Sequence, residues 1–398
     1  MNLRKTLYTQ EIRALSHHNT IVGQILKLVP RHEFETLAKH HHVGRKLRRT
    51  SRWSQFVSLC IGQLSGRKSL RDITDNVQSQ QNKLYHLGAK PVARSSFARL
   101  NEQQPHTLFE ALFSKLYKRC QQQAPRHGFR FKNSLISLDT TLVDLSLKLF
   151  PWSDYNRDRG AMKVHIGLDH AGLIPAFATI TDGKKSDISF ARTLDLPKGS
   201  IVVCDKGYVD YEWYKRLENK DVFIVTRLKK NQCYRVTQRR PVKQNGAVTS
   251  DQTIEFTAKK PQQLELKAMR RIGYRDPQTG KYFQFLTNHF ELSADTIAAI
   301  YKDRWQIELF FKTIKQNLKI KHFLGTSRNA IKTQIWVALC CYLLIQFVRF
   351  SSQSTLSFQS LLRLIQVNIF ERRALRDLVL VPPPDPLPAI DRRQLCLL

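Results

Sequence analysis

Residues 134–147, SLISLDTTLVDLSL, open a run of short apolar segments that decides the fold. After them come KVHIGLDH (163–170), LIPAFATIT (173–181), SIVVCD (200–205) and DVFIVTRL (221–228). Each is rich in β-branched residues and bounded by Gly, Pro or Asp, the punctuation of strands. Helical stretches intervene near 186–194 and 211–219. Three consecutive strands followed by alternating helices and strands predict a mixed α/β sheet.

Outward from this stretch the character changes on both sides. Residues 1–130 read as a helical region. Within it RWSQFVSLCIGQL (52–64) carries Trp53, Phe56, Val57, Cys60, Ile61 and Leu64 at helical spacing, and Ser69 can cap the next helix, SLRDITDNVQ. Arg45, Lys46, Arg48, Arg49, Arg52, Arg67, Lys68 and Arg71 crowd this unit, which is compatible with a helix-turn-helix on DNA. An ordinary helical domain with a basic rim is the plainer alternative. Residues 131–228 form the first part of the α/β core. Residues 229–288 are polar, basic and then hairpin-like, turning at Asp276-Pro-Gln-Thr-Gly280, and read as a β-rich insertion. A long amphipathic helix from about Ala294 to Lys319 begins the last part of the core, 289–350. Residues 351–398 read as a helical segment and a Pro-rich tail, VPPPDPLP, which can continue neither a helix nor a central strand.

Charge narrows the partners. Lys and Arg total 65 against 32 Asp and Glu, a formal +33, while 42% of residues are hydrophobic. The chain can therefore bury a core, and its charge asks for a polyanion, since neutralising phosphates releases condensed counterions. Its seven cysteines (60, 120, 204, 233, 340, 341 and 396) are scattered without a C-x-x-C, which predicts neither a disulfide framework nor a zinc site. Three adjacent histidines, His40, His41 and His42, point in different directions on a helix and read as solvated surface. The start has no apolar signal segment, and the most apolar run, Ile335–Val348, falls short of the roughly 20 residues that cross a bilayer. We expect a cytoplasmic protein with no membrane partner and a buried helix over that run.

The residues that could do chemistry lie in three places. Asp139 ends the strand LISLD, and Asp205 ends SIVVCD, followed by Lys-Gly-Tyr. A carboxylate at a strand's C-terminal end is held at the sheet rim, where open α/β sheets place their sites. The third place is the helix YKDRWQIELFFKTIKQNLK (301–319). At ~100° per residue, Tyr301, Arg304, Glu308 and Lys315 share an arc of roughly 60°, beside an apolar stripe of Ile300, Ile307, Phe311, Ile314 and Leu318. A solvated charged face is the ordinary reading of such a helix. A tyrosine in the row, and an arginine and a lysine around one glutamate, suit a bound phosphate better. Three carboxylates with open positions are what Mg²⁺ or Mn²⁺ needs, and two such ions about 3.5–4 Å apart activate and stabilise phosphodiester transfer.

Tyr301-x2-Arg304-x3-Glu308-x6-Lys315 resembles the YREK signature of bacterial insertion-sequence transposases of the DDE type, in the insertion sequence 4 family. LDTTLVDL resembles that family's first-Asp block, VVCDKGYVDY its second, and NTIVGQILKLVPRHEF…SQFVSLCIGQLSGRKSLRDI the helical domain before many such cores. The resemblance spans roughly residues 15–350. It implies an RNase H-like core with a β-rich insertion between the second Asp and the Glu. Asp139, Asp205 and Glu308 would be catalytic and would hold two Mg²⁺ ions, with Mn²⁺ as a substitute. It also implies cleavage of double-stranded DNA at terminal inverted repeats and strand transfer into target DNA, with Tyr301, Arg304 and Lys315 on the DNA backbone. Lys163 and His165 are further candidate DNA contacts. A homodimer holding two element ends, and association with the bacterial nucleoid, follow from the same likeness. Some relatives form a DNA hairpin with a Trp stabilising a flipped base; no Trp lies between Trp213 and Trp305 here, so that role is not carried over. Two rivals use the same residues: an RNase H-fold nuclease or resolvase, and a basic DNA-binding protein that has lost catalysis.

Overall fold

The structure, a computed structural model, describes residues 19–156, 159–318 and 323–380. The Pro-rich tail and the end of the expected helix at Lys319 lie outside them. Among the described residues ten strands form one sheet: β1 (Leu135–Leu145), β2 (Asp154–Asn156), β3 (Arg159–Asp169), β4 (Ile174–Asp182), β5 (Ile201–Cys204), β6 (Phe223–Arg227), β7 (Tyr234–Arg240), β8 (Val248–Phe256), β9 (Met269–Arg275) and β10 (Tyr282–Thr287).

Pairing runs β4-β3-β1-β5-β6-β10-β9-β8-β7, with β2 on the start of β3. β1, β3 and β4 are antiparallel neighbours, while β5 and β6 run parallel to β1. Three antiparallel strands continued by two parallel ones, with helices on both faces, make the mixed α/β sheet expected from the element order and the RNase H-like core that the resemblance implies. β10 then pairs antiparallel with β6, so the strands of the 229–288 stretch prolong the core sheet. Its hairpin turns where Asp276 O accepts from Gly280 N at 2.8 Å, and Gly280 takes the left-handed φ of +67° that glycine tolerates best.

Burial on both faces explains the apolar strands. Ile201, Val203, Val225 and Phe285 pack against Ile297, Ala298 and Ile300 of helix Ala294–Asp303 on one side. Val202, Cys204 and Ile224 pack against Trp213, Tyr214 and Leu217 of helix Tyr211–Asn219 on the other. Each such buried side chain contributes about 1.5–3 kcal/mol. The helices before residue 124 share one further core with β3, β4 and the 24-residue helix Arg328–Ser351. That helix is long and apolar enough to cross a membrane, but 89% of its apolar window is buried within the chain.

Two expectations change in detail, and the Ser69 cap holds. Arg52 is buried; it donates to Gln104 Oε1 and Pro105 O and lies over the Phe109 ring, so it holds the helical core and is no DNA contact. The cap at Ser69 is present, accepting from Asp72 N at 3.0 Å, yet the exposed face of the capped helix mixes Arg71 with Asp75 and Gln78. The continuous helix expected from Ala294 is broken: one segment is Ala294–Asp303, the next Trp305–Asn317, with Arg304 between them.

The insertion is fastened to the core by charge. In β9, Arg270 donates to both oxygens of Asp251 (2.9 and 2.6 Å), and its Nη1 reaches Leu292 O at 2.6 Å, in the loop that feeds helix Ala294–Asp303. The two side chains are only 4% and 6% exposed. Removing one partner of such a pair strands a buried charge. Asp251→Ala is therefore expected to lower stability by about 3–5 kcal/mol, read as a shifted urea midpoint with an unchanged slope.

Candidate active site

The parallel register sets the site. β1 and β5 pair from Leu135↔Ile201 to Leu138↔Cys204, an offset of 66, so the next residue on each strand is Asp139 and Asp205. Adjacent strands stand about 4.8 Å apart, which makes the two aspartates neighbours. β5 and β6 pair with an offset of 22 (Ile201↔Phe223), which carried on places Arg227 beside Asp205. Asp139 does not end its strand as expected. β1 runs on to Leu145 along β3, and Asp139 sits where β5 stops accompanying it.

Glu308 comes from the far side of the helix break. Arg304 Nη2 donates to Glu308 Oε1 at 2.6 Å, and Arg304 Nη1 lies 3.5 Å from Asp139 Oδ2. One guanidinium thus spans a strand carboxylate and a helix carboxylate. The break matters here: the Arg304 N–H donates to Tyr301 O, three residues back, where a regular α-helical bond would run four back. Tyr301 packs at a tilt against Phe285 with centroids 4.8 Å apart, and the guanidinium carbons of Arg227 and Arg304 lie 5.9 and 5.8 Å from its ring centre. The Nε atoms of Arg227 and Arg304 are buried without a hydrogen-bond partner among the described residues, an orphaned pair that an anionic ligand could satisfy. Lys315 is half-buried one segment further along the same helix.

Electrostatics reflect the crowding. Burial pushes the Asp139 carboxyl up to about 6; the Thr140 N–H and Arg304 oppose this, while Asp205 and Glu308 add to it. Burial works against the Arg304 charge, yet Tyr301, Glu308 and Asp139 outweigh it and raise its pKa above the ordinary guanidinium value. All three acids are hard oxygen donors, the kind a divalent cation of the Mg²⁺ class prefers. Among the described residues no three metal-ligating side chains converge closely enough to share one ion. The positive charge that Arg304 inserts between Asp139 and Glu308 balances the same two acids that a cation would, so the donor chemistry suits such an ion although the three acids do not form a closed cage.

The second aspartate block has its own logic. Asp205 Oδ1 accepts from Gly207 N at 2.7 Å, and a Cβ on Gly207 would sit 2.8 Å from that oxygen. A side chain at 207 would push the Asp205 carboxylate aside. The turn delivers Tyr208 into the core, its hydroxyl 3.1 Å from Thr140 Oγ1 on β1. Sequence reasoning passed over Tyr208, Thr140 and Arg227, although all three lie inside the stretches quoted above. A cleft of about 650 Å³ opens beside Asp205, lined by Lys206, Arg227, Lys229, Lys230 and Tyr282 among others.

Two expected DNA contacts are corrected. His165 is wholly buried, its ring nitrogens 2.8 Å from the hydroxyls of Thr140 and Thr181, and burial lowers its pKa to about 4. It braces β1 against β4 and cannot meet a phosphate. Lys163 Nζ is held by Lys185 O and Asp187 Oδ1 at 2.9 and 3.0 Å, and it too serves the fold.

Residues 130–344 match the family described as Transposase DDE domain, and residues 17–90 match a domain of unknown function. Transposase y4zB of Sinorhizobium fredii is 31% identical over 80% of this chain and 87% of its own length. A transposase for insertion sequence element IS5377 of Geobacillus stearothermophilus is 26% identical over 68% of this chain and 72% of its own. The cryo-EM structure of the piggyBac transposase synaptic complex with hairpin DNA aligns with 91% of this chain and 84% of that one, at a TM-score of 0.43 and 12% identity, too loosely to carry an assignment. With more than half its residues inside the matched domain and a transposase alike over most of its length, this chain belongs to the transposase DDE-domain family, enzymes that cleave DNA and transfer its strands.

Proposed function

We propose that Asp139, Asp205 and Glu308 are the catalytic acids of this transposase and that they hold two Mg²⁺ ions, for which Mn²⁺ can substitute. The supporting observation is the register that sets Asp139 beside Asp205, together with the Arg304 bridge from Asp139 to Glu308. When bound, such ions would activate the attacking oxygen and neutralise the phosphoryl group. The chain's own contribution is placement. Sheet strands hold two carboxylates rigidly, and the helix break turns Glu308 toward them.

Arg304, Arg227, Tyr301 and Lys315 grip the DNA backbone in this reading. Arginine suits a phosphate because its planar fork donates two parallel hydrogen bonds. The cleft beside Asp205 continues that basic surface away from the acids. The substrate would be double-stranded DNA at the element's terminal inverted repeats. Water would attack first, and the freed 3′-OH would then attack target DNA. Two chains would pair the two ends as a homodimer, and the spacing of residues 301, 304, 308 and 315 supports a reading of the enzyme as one of the insertion sequence 4 group.

Four outcomes are expected. Asp139→Asn, Asp205→Asn and Glu308→Gln should each abolish Mg²⁺-dependent cleavage and leave end binding within about two-fold, because they remove ligands and spare the DNA surface; residual cleavage by any one would remove that acid from the set. Supplied with a pre-cleaved end bearing a 3′-OH, the wild-type chain should give joined product, whereas a nuclease would give none. Arg227→Ala and Arg304→Ala should each flatten the slope of log K against log salt by about 0.9, the value of one lost phosphate contact; an unchanged slope would exclude that residue from the contact. Metal binding requires the ionised carboxylate, and burial sets the Asp139 carboxyl at about 6. Mn²⁺ affinity measured by calorimetry should accordingly fall as pH is lowered through about 6, with protons competing for that oxygen.

A further inference from the structure

A second chain of polar groups joins β1 to the helix break, one step along the strand from the acids. Ser137 Oγ lies 2.7 Å from His170 Nε2, and His170 Nδ1 lies 2.8 Å from Asp303 Oδ2. A carboxylate can only accept, so Nδ1 carries the hydrogen, and in the neutral ring Nε2 then accepts from the Ser137 hydroxyl. The connectivity is that of a serine nucleophile set, but exposure runs the wrong way for one. Ser137 is fully buried, the His170 side chain is 1% exposed, and Asp303 is 35% exposed at the mouth of a separate cavity that His127 and Arg349 also line. No substrate reaches that hydroxyl.

Position gives the chain another use. Ser137 precedes Asp139 by two residues, so both project from one face of β1. Asp303 directly precedes Arg304 at the break. β1 and the helix are therefore tied at two successive rungs: Ser137–His170–Asp303, then Asp139–Arg304–Glu308. At the break the regular hydrogen-bond ladder is interrupted, with Arg304 N bonded to Tyr301 O and Ile307 N to Arg304 O, each three residues apart. An interrupted ladder does not by itself set the angle between two helical segments, so tertiary contacts must set it. His170 is well placed to do so, since its own N–H donates to Leu135 O at 3.0 Å and ties the ring to the start of β1. Gln306 Nε2 donates to the other Asp303 oxygen at 3.2 Å, so the carboxylate also grips the segment that carries Glu308.

We propose that Ser137, His170 and Asp303 are positioning residues that set the angle of the helix break and hold Glu308 and Arg304 opposite Asp139. The proposal rests on the reading of Asp139 and Glu308 as metal ligands. A displacement of about 1 Å at such a centre can cost on the order of a hundred-fold in rate.

The test uses the full chain and reads Mn²⁺ binding by electron paramagnetic resonance without DNA, end binding, single-turnover cleavage and melting temperature. Ser137→Ala and Asp303→Ala should each weaken Mn²⁺ binding and slow cleavage by about ten-fold or more while end binding stays within about two-fold. The double variant should lose no more than the worse single one, because both substitutions cut one chain. Asp303→Asn, which keeps an oxygen to accept from Nδ1, should restore most of the loss, as should Ser137→Thr, which keeps the hydroxyl; these two decide the matter where an alanine variant does not fold. Wild-type Mn²⁺ binding in folded Ser137→Ala, or fully additive losses in the double variant, would overturn the brace. Asp139→Asn separates the two ideas. If it loses Mn²⁺ and Ser137→Ala does not, the brace alone fails; if it keeps Mn²⁺, the ligand assignment fails and the brace with it.

Discussion

Carboxylates gathered at one sheet rim repel one another, and the Arg304 guanidinium is the interaction that lets them sit together. Two unit charges about 4 Å apart interact by about 4 kcal/mol at the effective dielectric of a protein surface. A cation placed between Asp139 and Glu308 turns that repulsion into attraction twice over. The raised pKa of Asp139 records how tight the balance is, since burial and two acid neighbours oppose what Arg304 and one backbone N–H supply. A site balanced in this way is suited to exchange one positive charge for another. The same arginine sits on the tyrosine ring that Arg227 also approaches, so the residue that steadies the acids also belongs to the basic surface beside them.

The remainder of the architecture serves that arrangement. Parallel pairing of β5 with β1 on one side and β6 on the other aligns Asp139, Asp205 and Arg227 across three strands. The opposite face of β1 is held by a hydroxyl and imidazole network, Tyr208–Thr140–His165–Thr181, which fastens the two aspartate blocks to each other and to β4. The inserted strands do more than interrupt the chain between Asp205 and Glu308. They extend the sheet from β6, and through Arg270 they grip the loop that begins helix Ala294–Asp303, the segment before the one that carries Glu308. An insertion built as a continuation of the sheet is thereby bonded to the loop that leads into helix Ala294–Asp303.

Much of the fold was legible because its signals are local. The strand at 135–145 announces itself by β-branched residues, the hairpin by Asp-Pro-Gln-Thr-Gly, and the apolar stripe of Ile300, Ile307, Phe311, Ile314 and Leu318 by its period; all five of those side chains are buried. The candidate site was legible where residue type and spacing coincide, as at Tyr301, Arg304 and Glu308, which flank the helix break. Errors arose where partners are distant in sequence. Lys163 and His165 look like free basic residues until β4 and Asp187 fold over them. Arg52 looks like part of a basic rim until Gln104 and Pro105 close on its guanidinium. A helical wheel cannot report a break either, because a break is decided by what the helix packs against.

By itself, then, the order of amino acids determined the strand and helix pattern, the strongly basic charge and which acids could serve, since each depends on neighbours a few positions away or on composition alone. Tertiary structure decided the offset of 66 that brings Asp139 beside Asp205, the interruption at Arg304, and the two rungs that tie β1 to the helix. Those depend on side chains separated by tens to more than a hundred positions, and only a packed chain can choose among the registers and angles that local preference leaves open.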